Sequence, residues 1–308
     1  MGVDARRRLA AGGAAMTDAS VVVVTYNALP WIEQCLESVR GVETIVVDNG
    51  SSDGTVAFVR ERFPEAQVVE QENRGLAAGW NAGVDRTSGR YVLLLNSDAW
   101  LHEGALDALV AFADSQPEAA VVGPRLRNTD GTLQRSVRGF PTLWRLATEY
   151  FFLRKLAPWS HTFNDFYGNG FDYRSVLEAE VLMGAVWLVR QAAIDEVGPA
   201  DDSFFLFSEE VDWAWRFRDA GWSSVFFPGA EATHVYGASH KGKLYLEIQR
   251  GHLRFLRKHR GDAYAERARR LLRTALALRG ALFRGDRGRS YREAAAWLGS
   301  GSVEELLA

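Results

Sequence analysis

The chain has 308 residues, of which 47% are hydrophobic and 24% are charged, and its net charge is -3. This composition excludes a disordered chain and predicts a sizeable core, in two domains or in one α/β domain with additions. The slightly negative charge argues against a dedicated nucleic-acid binder. The lone cysteine, Cys35, lies among apolar residues at helical spacing. It excludes disulfides within the chain, favours a reducing cytoplasmic location and argues against a catalytic thiol.

The first 18 residues combine arginines with alanine and glycine. They lack the apolar core of a signal peptide, so we expect a flexible leader, with Met16 as an alternative start. No run of about 18 uncharged apolar residues occurs anywhere in the chain, and we therefore expect no segment that spans a membrane.

Residues 19–123 alternate between strand and helix patterns. Residues 21–26 read VVVVTY, the continuous β-branched run of a strand buried on both faces. Further strands are predicted at 44–48, 67–70, 91–96 and 120–123, with helices from Pro30, after NGSSDGT and over 76–87. The alternation predicts right-handed crossovers and an α/β fold with a mostly parallel sheet. Ligands collect at the carboxyl ends of such strands.

The pattern loosens over residues 124–238. Residues 125–175 are rich in arginine, aromatic residues and glycine, which favours loops and short helices over a cleft. An apolar stretch at 179–190 contains Gly184, and a helix is predicted over 209–220 with Ser208 as its N-cap. A strand at 224–227 then leads to His234, which we expect in a loop.

The C-terminal region, 239–308, is basic and is predicted to be helical from Leu244. Between Ser239 and Arg292 there are 16 lysines and arginines and only four acidic residues. Two interpretations stay open. The region is a solvated helical hairpin packed on the rest of the chain, or it is a surface that anionic lipid headgroups attract by about 1 kcal/mol per basic residue.

Carboxylates follow two of the predicted strands. Asp48 precedes Asn49-Gly50, so it either forms a turn or accepts a hydrogen bond from a nucleobase imide. Asp98, in Asn96-Ser97-Asp98, belongs either to a turn or to a site for Mg²⁺ or Mn²⁺ that offsets a diphosphate.

Glu209, Glu210 and Asp212 fall in the first turn of the predicted helix. Acidic residues stabilise a helix N-terminus without any catalytic purpose. Crowding of like charges would also raise at least one pKa, which suits a general base. His234 is either a hydrogen-bonded structural residue or a metal ligand.

The glycine-rich segment 73–83 lies where a helix is predicted to begin, so its backbone can approach an anion closely. It matches neither GxGxxG nor GxxxxGK[ST], which argues against a dinucleotide oxidoreductase and a P-loop NTPase.

Seven segments taken together carry a family resemblance: VVVVTYN, IVVDNGSSDGT, NRGLAAGWNAG, YVLLLNSDA, LMGA, FFLFSEEVDWAWR and GAEATH. In this order they resemble glycosyltransferase family 2, especially its bacterial rhamnosyltransferase-like branch, over roughly residues 20 to 240. The resemblance implies a GT-A fold, a nucleotide-sugar donor, a divalent metal (Mg²⁺ or Mn²⁺) and inversion at the anomeric carbon.

The resemblance also implies site residues. Those for the nucleotide-sugar are Thr25, Asn27, Asp48, Asn73, Gly75, Asn81 and Asn96; those for the metal are Asp98 and His234. The catalytic base is Glu210 or Glu209, and the acceptor-side residues are Gly184, Asp212 and Trp213. Asn96 replaces the first Asp of the common metal motif, as in the rhamnosyltransferase-like branch. Glu210 stands where many relatives carry Asp.

The implied function is sugar transfer to a saccharide or polyprenyl-diphosphate-linked acceptor in cell-wall or surface polysaccharide synthesis. The branch favours dTDP-rhamnose as donor, with a UDP-sugar as the alternative. We expect a leader (1–18), a GT-A domain (19–238, with nucleotide half 19–123 and acceptor half 124–238) and the basic helical region (239–308). The expected location is cytoplasmic. If anionic lipid headgroups attract the basic region, residues 239–292 would also make peripheral contact with the membrane.

Two rival functions are weaker. A sugar nucleotidylyltransferase would need a glycine-rich loop with basic residues after the first strand, where this chain reads TYNALPW. A non-catalytic binding module would not need Asp98, Glu210 and His234 together.

Overall fold

The computed structural model describes residues 18–235 and 245–308. The expected leader (1–18) therefore lies outside the described residues except for residue 18. Leu244, the predicted start of the helical C-terminal region, also lies outside them. The strands of the described ranges are β1 (Ala19–Thr25), β2 (Thr44–Asp48), β3 (Gln67–Glu70), β4 (Tyr91–Asn96), β5 (Ala99–Leu101), β6 (Ala119–Arg127), β7 (Leu133–Gln134), β8 (Val137–Arg138), β9 (Leu177–Ala179), β10 (Val181–Leu182), β11 (Val186–Arg190) and β12 (Ser223–His234).

Ten of these strands form one sheet with helices on both faces, and β8 and β10 pair separately. The helices are α1 (Ile32–Glu37), α2 (Thr55–Arg62), α3 (Leu76–Val84), α4 (Ala105–Ser115), α5 (Leu143–Tyr150), α6 (His161–Asn164), α7 (Gln191–Val197), α8 (Glu209–Asp219), α9 (Tyr245–Arg260), α10 (Asp262–Leu282), α11 (Gly285–Gly299) and α12 (Val303–Leu307). A short 3₁₀ turn, Leu153–Lys155, follows α5.

The first four strands form the parallel part of the sheet, in the order β3-β2-β1-β4. Their side chains are buried on both faces in β1 and β2, as the β-branched sequence predicts. The predicted bounds of β2, β3 and β4 are confirmed. Thr25 pairs with Asp48, and Val24 pairs with Asn96, so the carboxyl ends of β1, β2 and β4 lie side by side.

The rest of the sheet is mixed, in the order β4-β11-β6-β12-β5. Strand β11 is antiparallel to both β4 and β6. The prediction that the last strand ends at Phe227 is wrong, because β12 continues to His234. An irregularity between Phe227 and Glu231 accommodates Pro228 and Gly229, and pairing with β6 and β5 then resumes. His234 therefore lies in a strand and not in a loop.

Helix α8 begins at Glu209 as predicted, but the predicted side-chain cap is wrong. Ser208 adopts a left-handed conformation (φ 71°), and its hydroxyl makes no capping hydrogen bond. The preceding Phe207 is also left-handed (φ 67°). Helix α9 packs so closely here that a Cβ on Gly251 would lie 2.7 Å from the Ser208 hydroxyl oxygen. Close packing between helices, and not side-chain capping, fixes the start of α8.

The described part of the C-terminal region forms four helices, α9–α12, where the sequence predicted a helical region with a packed hairpin as one of two interpretations. Their apolar residues, such as Leu253 and Leu272, belong to the same buried core as Val22 and Val24 of β1. The region is thus packed on the sheet, as one of the two interpretations expected. Among the described helices, none is long and apolar enough to cross a membrane.

Candidate active site

The carboxyl ends of β1 and β2 present two buried oxygen atoms that lack partners. Oδ2 of Asp48 accepts hydrogen bonds from the backbone N–H groups of Gly50 (3.0 Å) and Ser51 (2.8 Å). Oδ1 of Asp48 and the Thr25 hydroxyl are buried and have no hydrogen-bond partner among the described residues. Buried polar atoms are normally satisfied, so these two mark a place where a ligand can supply hydrogen bonds.

The loops beside this edge hold other predicted nucleotide-site residues. Asn27, with a left-handed backbone (φ 51°), accepts a hydrogen bond from the Ser52 N–H through its side chain (2.8 Å). The Asn73 side chain accepts from the N–H of Gly75 (3.2 Å). Gly75 has φ 97°, and a Cβ there would lie 2.2 Å from the carbonyl oxygen of Phe205. Only glycine fits at this junction between the two halves of the chain.

Asp98 and His234 converge beyond the end of β4. His234 Nε2 lies 3.5 Å from Asp98 Oδ1, and the N–H of Val235 donates to the Asp98 carbonyl. Nδ1 of His234 lies 2.7 Å from Oε1 of Gln134. The Gln134 amide donates through Nε2 to Asn128 (2.8 Å) and to the His234 carbonyl (3.2 Å), which directs its oxygen to the imidazole. In the neutral ring Nδ1 therefore carries the proton, and the lone pair of Nε2 faces Asp98.

This pair fits a divalent cation. A histidine that ligates a metal usually donates its other N–H to an oxygen acceptor, as His234 does to Gln134. Within the described ranges, no group of three histidine, cysteine or acidic side chains could hold a metal. Two protein ligands suit an ion that takes its remaining ligands from phosphate oxygens and water.

Glu209 and Glu210 begin α8 at the wall of the same site. Glu209 is 3% exposed, and Glu210 is half-buried. Burial, and then the charge of Glu210, raise the pKa of Glu209 well above its usual value. Burial also raises the pKa of Glu210, and the nearby Arg138 charge opposes that rise. A Cβ on Gly184 would lie 3.2 Å from the Trp80 ring and 3.4 Å from Glu210 Cβ, so Gly184 leaves room for Glu210.

One cavity of about 760 Å³ joins these groups. Asn96, Asp98 and His234 line it on the sheet side, and Glu209, Glu210 and Gly184 line it from α8 and the segment before β11. A carboxylate with a raised pKa thus shares a cavity with a candidate metal pair. This arrangement can remove a proton beside a metal-bound phosphate.

Thr25, Asn27, Asp48, Asn73 and Gly75, described above, lie at the sheet edge and do not line this cavity. The other three predicted site residues outside it are Asn81, Asp212 and Trp213. Asn81 exchanges two hydrogen bonds with the backbone of Ala200 and holds that loop to α3. Asp212 is fully buried and binds three basic groups: His259 (2.7 Å), Lys258 (2.8 Å) and Arg216 (2.9 Å). Trp213 is also fully buried, and its ring stacks on Trp80. These side chains support α3 and α8 and do not line the cavity.

Sequence reasoning missed Gln134, Arg138 and His252, which all line the cavity. Gln134 sits in a two-residue strand without any motif, so no sequence signal could have found it. Arg138 belongs to the arginine-rich segment 125–175, which the sequence predicted to lie over the cleft, and this arginine content could have pointed to it. His252 lies on the apolar face of α9 and gave none.

Comparison with known proteins identifies the family. The family model described as glycosyl transferase family 2 matches residues 20–178. The N-acetylglucosaminyl-diphospho-decaprenol L-rhamnosyltransferase of Mycobacterium tuberculosis is 31% identical over 246 residues, 71% of this chain and 76% of the relative. The chain belongs to glycosyltransferase family 2. This enzyme is also 27% identical to glycosyltransferase AglE of Haloferax volcanii over 219 residues, 67% of the chain and 63% of that relative.

Solved structures support the same fold for this glycosyltransferase. A mannosyltransferase from Pyrobaculum calidifontis, in complex with GDP-Man and Mn²⁺, matches with a TM-score of 0.55 and 16% identity over 91% of this chain and 84% of that one. GalNAc-T7 with UDP, GalNAc and Mn²⁺ matches with a TM-score of 0.58 and 15% identity over 94% of this chain and 55% of that one. The predicted GT-A fold is confirmed, and both of these neighbours were solved with Mn²⁺.

Proposed function

We propose that this glycosyltransferase transfers a rhamnosyl group, with inversion, from dTDP-rhamnose to a hydroxyl of a saccharide carried on a polyprenyl diphosphate. The observation that carries the proposal is the shared cavity, which holds Asp98 and His234 together with Glu210. The choice of sugar and acceptor rests on the 31% identity to the mycobacterial enzyme, whose name gives both L-rhamnose transfer and a diphospho-decaprenol acceptor.

The donor base would bind at the ends of β1 and β2. Oδ1 of Asp48 is a buried acceptor without a partner, and the imide N–H of thymine or uracil is a donor that suits it. The Thr25 hydroxyl beside it can donate to a base carbonyl. Asn27, Asn73 and Gly75 would border the nucleotide from the adjoining loops, and Asn96 would lie near the diphosphate.

Asp98 and His234 would hold the divalent ion, and Gln134 would keep the imidazole oriented. When bound, Mg²⁺ or Mn²⁺ offsets the negative charge that develops on the leaving diphosphate. One carboxylate is present where many relatives have two, because Asn96 replaces the first. The amide keeps an oxygen at that position without adding a second negative charge.

Glu210 would act as the general base. It would take the proton of the acceptor hydroxyl as that oxygen bonds to the anomeric carbon and the bond to the diphosphate breaks on the opposite face. Its half-buried position at the cavity wall gives the acceptor access, whereas Glu209 is almost wholly buried. Burial raises the pKa of both carboxyl groups, but the charge of Arg138 opposes the rise at Glu210, while the charge of Glu210 adds to it at Glu209. Glu209 would then be a neutral carboxyl group beside Glu210 and would not repel its negative charge.

The basic C-terminal region would bring the enzyme to the membrane that carries its acceptor. Part of the segment 239–292 lies outside the described residues. Within α10, Leu282 is 74% exposed, and the rings of Phe283 and Phe152 contact each other at 5.9 Å. The 3₁₀ turn that follows Phe152 leads to Trp159, which is 82% exposed. Exposed apolar side chains beside basic ones suit a lipid surface.

Vesicle co-sedimentation tests this contact. Leu282→Ser with Trp159→Ser should lower binding to anionic vesicles by about fivefold, because two apolar anchors are lost while the charge is unchanged. Val176→Ser, at another exposed apolar residue outside the cavity, is the control and should bind like the wild type. Equal binding of the double variant and the wild type would contradict the proposed surface.

Donor identity is tested by thermal shift with Mn²⁺. dTDP-rhamnose should raise the melting temperature more than UDP-glucose, UDP-GlcNAc or GDP-mannose at the same concentration, since a ligand that binds the folded state stabilises it in proportion to occupancy. A larger shift with a UDP-sugar would replace the rhamnosyl donor with the alternative. No shift with any nucleotide-sugar would contradict the proposed site.

A further inference from the structure

The cavity has a second wall that the donor and base residues do not use. Arg138, at the end of β8, places its guanidinium 5.0 Å from the centre of the Tyr167 ring. The neighbouring Phe166 ring lies 5.7 Å from the imidazole of His252 on α9. The Gly139 N–H donates to the Phe166 carbonyl (3.2 Å) and ties the end of β8 to this segment. Arg138, the two aromatic rings and His252 thus form one continuous surface.

Each of the other two arginines that line the cavity binds a polar side chain. Arg154 pairs with Glu149 at 2.8 Å. Arg135 donates to Asn169 at 2.6 Å and is exposed. In the part of the chain that the structure describes, Arg138 forms no ion pair with any carboxylate, although it is half-buried. Its positive charge is nevertheless felt by both Glu210 and His252.

His252 is the second unsatisfied group on this wall. It is 7% exposed, lines the cavity, and neither ring nitrogen has a hydrogen-bond partner among the described residues. Burial, and then the charge of Arg138, lower the pKa of His252 to about 4. The imidazole is therefore neutral near pH 7 and offers one N–H donor to a ligand in the cavity.

We infer that Arg138 and His252 form a subsite for the diphosphate of the acceptor. A guanidinium binds phosphate oxygens through paired N–H groups, and a neutral imidazole can add one further donor. The donor diphosphate is assigned to Asp98 and His234, on the sheet side of the cavity. The wall formed by β8 and α9 is left for the second anionic substrate. The inference rests on the proposed function, because it requires an acceptor linked through diphosphate.

The subsite would select the acceptor by charge. Its sugar hydroxyl must reach Glu210, whose carboxylate lies within the electrostatic influence of Arg138. A diphosphate held at Arg138 would place the attached saccharide beside Glu210 without any contact to the lipid. A neutral glycoside of the same sugar would lack this anchor.

A comparison of two acceptors distinguishes phosphate binding by Arg138 from an effect of Arg138 on the general base, Glu210. N-acetylglucosamine linked through diphosphate to a short prenyl chain is compared with its neutral octyl glycoside, at saturating dTDP-rhamnose and Mn²⁺. For each variant, kcat/KM with the diphosphate acceptor is divided by kcat/KM with the glycoside. Arg138→Gln should lower this ratio by about tenfold. His252→Phe, which keeps an aromatic ring but removes the N–H donor, should lower it by about threefold. Arg174→Gln, at an exposed arginine outside the cavity, is the control and should leave the ratio unchanged.

An unchanged ratio in Arg138→Gln would overturn the inference, whether both rates fall together through Glu210 or neither falls. Calorimetric titration with citronellyl diphosphate supplies a readout without turnover, and Arg138→Gln should weaken its binding by about tenfold. If the wild type transferred no sugar to either acceptor, the proposed function would fail. The titration would still decide the subsite, because equal affinity in wild type and variant would contradict it.

Discussion

The donor edge of the sheet and the acceptor wall of the cavity are built in different ways. On the donor side, Thr25, Asp48 and Asn96 end three adjacent parallel strands, and their positions follow from the strands themselves. On the other side, Gln134, Arg138, Glu210 and His252 come from short strands and two helices far apart in the sequence. The first arrangement depends on local sequence, whereas the second depends on how the acceptor half and the C-terminal helices pack. Substitutions on the two sides should therefore affect different kinetic constants.

The largest effect is expected from Glu210→Gln on the acceptor side. Removing the general base should lower kcat by about 10³-fold, while the variant should still bind the donor, because the amide keeps the shape of the side chain. Activity is measured by nucleotide release and donor binding by thermal shift.

Glu209→Gln is the matched control for this substitution. It should retain most of the activity, since Glu209 is favoured in the neutral form already. Near-normal turnover in Glu210→Gln, or a greater loss in Glu209→Gln, would show that Glu210 is not the base.

Gly184→Ala tests how finely the acceptor side positions that base. The added methyl would press on the Trp80 ring and on Glu210 Cβ, and a displacement of a few tenths of an ångström should lower kcat by about tenfold. The donor KM should stay within about twofold of the wild type, because the atoms nearest the added methyl belong to Trp80 and Glu210 and not to the residues proposed to bind the nucleotide. A change confined to the donor KM would contradict this placement.

Asp48→Asn tests the donor side alone. The amide can keep the hydrogen bonds to Gly50 and Ser51, but it replaces the buried acceptor Oδ1 with an N–H donor. The donor KM should rise by about tenfold with little change in kcat. Asp130→Asn is the matched control, since Asp130 accepts a backbone hydrogen bond in an exposed turn. Equal donor KM values in Asp48→Asn and wild type would contradict the proposed base contact.

The smallest effect concerns stability and pH. The folded-state pKa of Glu209 is raised above its unfolded value, so the folded state holds the proton more tightly. The stability from this group is fully present below the ordinary glutamate pKa and is lost as pH rises through the raised one. As the pH rises above the ordinary glutamate range, the melting temperature of the wild type should fall relative to Glu209→Gln by a few degrees. Parallel melting curves for the two proteins would contradict this account.

The contrast between local strand signals and packing of distant elements also explains which features the sequence could predict. The bounds of β2 and β4 follow from continuous β-branched and apolar runs, which are strong local signals, whereas β3 (QVVE) contains only two valines between polar residues. The extension of β12 to His234 could not be predicted, because Pro228 and Gly229 resemble a strand end and only pairing with β6 and β5 carries the strand on. Glu210 was identified through family resemblance, and the structure adds the burial and the cavity.

Some predicted residues proved to have structural surroundings that no local pattern reveals. Asn81 resembles a ligand-binding amide within a glycine-rich segment, yet both its polar atoms bind the Ala200 backbone. Asp212 resembles part of an acidic catalytic cluster, yet it binds Lys258 and His259 of α9. These contacts arise between elements distant in sequence, so they require the fold to be known.

Direct observation of the transfer product tests the central claim. The wild-type enzyme, dTDP-rhamnose, Mn²⁺ and N-acetylglucosaminyl-diphospho-prenol are incubated, and the lipid product is analysed by mass spectrometry and NMR. The account predicts an acceptor that gains one rhamnosyl group in the anomeric configuration opposite to that of the donor. A product that retains the donor configuration, or sugar transfer from a UDP-sugar with none from dTDP-rhamnose, would contradict it.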